Sequence, residues 1–132
     1  MTRLVVDTDV FVDYLRGWPK ATEFFRKIKD TSFLFSAVTE AELLSGKECN
    51  KLEKRTSVFE VLNRGSKISV ENRIAKIAGY FRRVYNIEVV SDAIIAATAF
   101  ATKAKLVTRN VKDFKKIKEI SSKINETVDD KL

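Results

Sequence analysis

Leu4-Val5-Val6-Asp7-Thr8-Asp9 constrains the fold more than any other stretch. Leu4 to Val6 is a short apolar run rich in β-branched residues, the pattern of a strand buried on both faces. Two carboxylates follow at once, and Val10-Phe11-Val12-Asp13-Tyr14-Leu15 then reads as a helix. A buried strand that ends in acids and turns straight into a helix puts those acids at the carboxyl end of a parallel sheet, where open α/β sheets hold their ligands. Asp7 is therefore the first candidate site residue.

The remainder of the chain alternates in the same way. Gly17 ends the first helix, and Lys20 to Lys29 forms a second with Ala21, Phe24, Phe25 and Ile28 on one face. Ser32 to Phe35 reads as the second strand. A helix entered through Ser36-Ala37-Val38-Thr39 carries Glu40 and Glu42, and Glu48 to Leu62 is a charged helix with Leu52, Val58, Phe59 and Leu62 as buried contacts. Lys67 to Val70 is a short strand. Glu71 to Tyr85 is amphipathic through Ile74, Ile77, Ala78, Phe81 and Val84, with Asn86 as a left-handed cap.

Ser91 is the expected N-cap of an almost wholly apolar helix, Asp92 to Ala101, buried between layers or at a subunit interface. Lys105 to Thr108 is the next strand, followed by Arg109-Asn110-Val111-Lys112-Asp113-Phe114. From about residue 118 to 132 the chain reads as a polar, lysine-rich tail, with a short edge strand expected near Ile117. The 132 residues suit one domain, residues 1–132, of α/β class with a mainly parallel central sheet covered by helices on both faces.

Composition narrows the chemistry. Histidine is absent and cysteine occurs once, at Cys49. That excludes histidine acid–base catalysis, Ser-His-Asp and Cys-His nucleophiles, and imidazole- or thiolate-held zinc. Hydrolysis must rest on carboxylates with a hard ion, or on Lys and Tyr. The net charge of +7 favours a polyanionic partner such as nucleic acid. No apolar run is long enough to span a bilayer and no signal-peptide pattern opens the chain, so a cytoplasmic location is expected.

Acids recur at the ends of strands or the starts of helices: Asp7, the pair Glu40 and Glu42, Asp92, and Asp113 beside Asn110. If these elements are neighbours, their carboxylates converge at one edge. Clustered carboxylates repel one another unless a cation lies between them, and oxygen-only ligands suit Mg²⁺ or Mn²⁺. Such a site hydrolyses phosphodiesters. Each residue also has a plain structural reading: Asp7 as a helix cap, Asp92 as a charge at the positive end of its helix, Asp113 in a surface turn. Glu40 and Glu42 flank the apolar stripe of their helix on opposite sides, and periodicity does not choose between them.

Leu4 to Val10, Thr39-Glu40-Ala41-Glu42-Leu43, Asp92 to Ala99 and Leu106 to Phe114, in this order and spacing, resemble the PIN-domain ribonucleases. The likeness is closer to the VapC-type toxins of bacterial and archaeal toxin–antitoxin pairs. It implies that Asp7, Glu42 and Asp92 are the site acids, choosing Glu42 over Glu40, with Asp113 as a fourth. It implies Thr108 and Asn110 nearby, Mg²⁺- or Mn²⁺-dependent endonucleolytic cleavage of RNA, a homodimer, and inhibition by a cognate VapB-type antitoxin. Asp9 departs from the family, which usually has Asn or Ser there. Thr8 and Asp9 are expected to support the site, and Arg109 to hold the RNA backbone. The scheme requires Asp7, Glu42 and Asp92 to meet within reach of a single cation. Two other readings remain at this stage: a haloacid-dehalogenase-like phosphatase with Asp7 as nucleophile, whose late acidic pair could only be Asp129-Asp130, and an inert PIN-like module that binds RNA or protein.

Overall fold

The computed structural model describes residues 3–28 and 32–126. Five strands form one sheet in the order β3-β2-β1-β4-β5, every neighbouring pair parallel. The strands are β1 (Leu4–Val6), β2 (Leu34–Ser36), β3 (Ser66–Ile68), β4 (Lys105–Thr108) and β5 (Ile124–Glu126). The helices are α1 (Thr8–Leu15), α2 (Pro19–Lys27), α3 (Ala37–Leu44), α4 (Leu52–Leu62), α5 (Asn72–Tyr85), α6 (Val90–Thr102) and the single turn α7 (Val111–Phe114).

Side chains alternate across the sheet and build two cores. Val5 and Leu106 point to the face covered by α5 and α6, where they pack among Ile74, Phe81, Ile95 and the small residues Ala93, Ala96, Ala97 and Ala99. Leu4, Val6 and Val107 point to the face covered by α1, α2 and α4. There Phe11 lies 5.4 Å from Phe25, 5.7 Å from Phe33 and 6.1 Å from Phe35 between ring centroids. The expected parallel sheet with helices on both faces is therefore the observed architecture. The helix expected between layers or at a subunit interface, α6, packs within the chain, as α1 does through Val10 and Phe11.

The details depart from sequence expectation at several places. β2 ends at Ser36 rather than Phe35. The segment read as one helix from Glu48 begins as a 3₁₀ turn, Lys47–Asn50, and α4 starts at Leu52. Val58, Val61 and Leu62 form its buried stripe, which leaves Leu52 70% and Phe59 39% exposed. Both lie roughly 100° around the helix from that stripe. Val84, at the margin of the α5 stripe, is also exposed. Glu71 caps α5 through Ile74 N–H at 2.9 Å and Arg73 N–H at 3.0 Å, and Asn86 ends it with φ 55° as expected. The edge strand lies at Ile124–Glu126 and not near Ile117, which is buried in a turn. Residues 118–126 are thus more than a tail, since Ile120 is buried and β5 pairs with β4. Lys29, placed at the end of α2, and the tail from 127 to 132 lie outside the described residues.

This topology positions the site. From β1 the chain proceeds outward to β2 and β3, then returns across the sheet to β4 and β5. The carboxyl ends of β1 and β4 therefore flank the point where strand order reverses, the crevice in which open α/β sheets bind ligands.

Candidate active site

Asp7 follows β1 directly and sits at that crevice, its backbone N–H donating to the Val107 carbonyl at 2.9 Å. Its side chain is almost fully buried. Oδ1 accepts from Thr8 N–H at 2.8 Å, so Asp7 does cap α1, and Oδ2 accepts from the Thr108 hydroxyl at 2.7 Å. Thr108 is itself buried at the end of β4 and accepts from Asn110 N–H at 2.9 Å. The cap and site readings of Asp7 are compatible, because capping orients the carboxylate at the sheet edge.

Glu42 arrives from α3. Its Oε1 accepts from the Thr8 hydroxyl at 2.7 Å and its Oε2 from the Ser91 hydroxyl at 3.0 Å. The Thr8 and Thr39 hydroxyls are 3.0 Å apart; because Thr8 gives its proton to Glu42, Thr39 is the donor between them. Glu40 faces elsewhere and pairs with Lys67 at 3.3 Å. Asp92 comes from the first turn of α6.

Asp7, Thr8, Asp9, Glu42, Asp92, Arg109 and Asn110 line one cavity of about 310 Å³. Three of the four acids proposed for the site therefore share a cavity. Asp113 stands back from it: it accepts from Asn110 Nδ2 at 3.0 Å and pairs with Lys116 at 3.8 Å. Thr108 acts from behind, through Asp7. Among the described residues no group of three acids is already gathered around one ion position. Like charges repel, and Glu42 is held by two hydroxyls instead.

The electrostatics record this crowding. Burial, then the charges of Asp9 and Asp92, raise Asp7 well above the usual carboxylate range, against the opposing bonds from Thr108 and Thr8. Burial and then Glu42, Asp113 and Asp9 push Asp92 up to about 6. Asp9 is also raised, chiefly by burial, although Arg109 counteracts the effect. The cavity wall holds four acids and one cation, Arg109. A donor set of carboxylate and hydroxyl oxygens with excess negative charge fits a hard divalent cation such as Mg²⁺ or Mn²⁺ and no softer metal.

Sequence reasoning missed two contributors. Ser91, expected to cap its helix, lies inside α6, which starts at Val90; its hydroxyl donates to Glu42 instead. Asp13 reads from the sequence only as part of α1. It is buried, and its Oδ2 lies 3.3 Å from Arg109 Nε, with Asp9 Oδ2 3.9 Å from the same atom. An acid on the buried side of a short amphipathic helix was the available signal.

The chain belongs to the PIN-domain family, whose pattern it matches over residues 4–120. It is 32% identical over 116 residues to the ribonuclease VapC10 of Mycobacterium tuberculosis, an alignment covering 84% of this chain and 85% of that protein. In fold it is similar to a toxin–antitoxin complex from Klebsiella pneumoniae, with TM-score 0.78, 24% identity, and 94% of this chain and 97% of that one covered. It is also similar to VapBC2 from Rickettsia felis bound to a DNA fragment of its promoter, with TM-score 0.81, 21% identity, and 95% and 98% coverage. Membership of this family sets aside the phosphatase reading; Asp129 and Asp130, which that reading needs, lie outside the described residues. No single described helix is long and apolar enough to cross a membrane.

Proposed function

We propose that this chain is a metal-dependent endoribonuclease that hydrolyses RNA phosphodiester bonds with Mg²⁺ or Mn²⁺. It is further proposed to be the cytoplasmic, homodimeric toxin of a pair restrained by a VapB-type antitoxin. The observation that carries this reading is the cavity in which Asp7, Glu42 and Asp92, from β1, α3 and α6, face one another at the crevice of a parallel sheet. Identity to a ribonuclease over most of the chain supports the substrate class, as does the net charge of +7.

Asp7, Glu42 and Asp92 would hold the ion, with Asp113 contributing from farther out. When bound, the ion supplies positive charge to the phosphate and acidifies a water molecule. Every other part belongs to the chain. Thr108 and Thr8 N–H fix the Asp7 carboxylate, while Thr8 and Ser91 fix Glu42. Asn110 orients Asp113, and Asp9 holds Arg109 at the mouth, where its guanidinium meets the RNA backbone. Asp92, from the first turn of α6, supplies a further carboxylate to the cavity that holds Asp7 and Glu42. Water oxygen bonds to phosphorus as the P–O3′ bond breaks and O3′ takes a proton, leaving 5′-phosphate and 3′-hydroxyl ends.

The test is incubation with structured RNAs in Mg²⁺, Mn²⁺ or EDTA, comparing wild type with Asp7→Asn and Asp92→Asn. Cleavage is expected only with metal, with both variants reduced at least about 100-fold. Equal cleavage by all three proteins rejects the reading. Tight RNA binding with no cleavage under any condition favours the inert binding module.

A further inference from the structure

Beside the acid cavity, Arg109 has a neighbour that the hydrolytic scheme leaves unused. Trp18, the only tryptophan in the chain, is 49% exposed. Its backbone is well fixed: Gly17 before it has φ 79°, Pro19 after it opens α2, and its own N–H donates to the Asp13 carbonyl at 3.0 Å. The Arg109 guanidinium lies over the indole, 5.7 Å from its centroid. Arg109 is held on its other side by the buried Asp13 carboxylate at 3.3 Å, and it forms part of the cavity wall with Asp7, Glu42 and Asp92. Asp13 therefore ties the backbone of one member of the pair and the side chain of the other. Burying a carboxylate is costly, and Asp13 Oδ1 has no hydrogen-bond partner among the described residues. That arrangement holds a cation and an aromatic plane against each other, with the cation on the wall of the acid cavity.

We propose that Trp18 and Arg109, with Asp13 as their positioning residue, form a nucleotide subsite. The indole stacks on an unpaired base flanking the scissile bond, and the guanidinium meets a phosphate of the same strand. This deepens the endoribonuclease reading and rests on it, because only an unpaired base is free to stack on the indole. An exposed aromatic next to an anchored cation is the combination that single-strand binding uses. A strand lying there also places its backbone at the acids.

The lone tryptophan reports the event directly. The Asp92→Asn protein, in Mg²⁺, is titrated with a single-stranded hexaribonucleotide, the same oligomer with abasic positions, and its duplex, following indole fluorescence and the anisotropy of labelled RNA. Quenching is expected with the single strand, and binding about 5- to 100-fold weaker for the abasic oligomer, the duplex, and the additional Trp18→Ala change. In the otherwise wild-type enzyme Trp18→Ala raises KM for RNA by a similar factor, and Trp18→Phe restores most of the loss. RNA that binds and is cleaved by wild type without quenching, or that binds equally well when abasic, overturns the subsite alone. Absence of both binding and cleavage overturns the subsite together with the nuclease reading.

Discussion

Asp92→Asn separates the electrostatic argument from the catalytic one. In the folded chain Asp92 takes up a proton near pH 6, against about 3.8 when unfolded, because it is partly buried and faces Glu42, Asp113 and Asp9. Between these values the native state binds the proton and the unfolded state does not, so stability falls as pH rises through the window. Below about pH 4 the residue contributes no penalty; above about pH 6 the penalty is complete. Two pH units correspond to roughly 3 kcal/mol. The group is only half-buried, so solvent screening reduces this to about 1.5 kcal/mol. Asparagine also forfeits about 0.5 kcal/mol of favourable interaction with the start of α6.

In EDTA at pH 7.5, Asp92→Asn should therefore be more stable than wild type by about 1 kcal/mol, a rise in Tm of roughly 3–5 °C. Thermal and urea unfolding from pH 4 to pH 8 provide the assay, and the gap should close toward pH 4. Saturating Mg²⁺ should reverse the order, since a ligand at 100 times its Kd adds about 2.7 kcal/mol to the form that binds it. A variant no more stable than wild type in EDTA at neutral pH, or a gap independent of pH, refutes the view of the cavity as a set of mutually repelling carboxylates.

Thr108→Val removes the hydroxyl bonded to Asp7 Oδ2. It should cost about 1–2 kcal/mol at pH 7.5 by urea unfolding, and less at lower pH, because the lost bond favours the ionised carboxylate. Glu42→Gln should lower RNA cleavage at least about 100-fold, whereas Glu40→Gln, which breaks only the ion pair with Lys67, should leave activity within about twofold and stability within about 1 kcal/mol. Gly65→Ala places a methyl group against the Phe33 ring and 2.7 Å from the Phe33 carbonyl oxygen. Circular-dichroism melts should register a loss of about 2–3 kcal/mol, since the neighbour is backbone and gives little.

What could be read without coordinates was local. A run of Leu4 to Val6 ending at Asp7 specifies a buried strand and an acid at its carboxyl end through neighbouring residues alone. The stripes Ala21-Phe24-Phe25 and Ile74-Ala78-Phe81 specify helices by their period of 3.6, and Asn86 signals a left-handed cap by its type. The lack of histidine confined hydrolysis to carboxylates with a hard ion, or to Lys and Tyr, before any contact was known.

Tertiary structure decided what depends on a partner distant in the chain. Periodicity left Glu40 and Glu42 equivalent; Lys67 claims one, and Thr8 with Ser91 claims the other. Ser91 could serve as a cap or as a donor until β1 and α3 fixed what lay opposite it. That Asp113 stands back, that Asp13 buries its charge beneath Arg109, and that Asp7 is raised by Asp9 and Asp92 all follow from packing across the sheet. The physical reason is range. Backbone preference and side-chain alternation act within a few residues, whereas charge and hydrogen bonding select partners by distance in space, which exists only once the strands are in register.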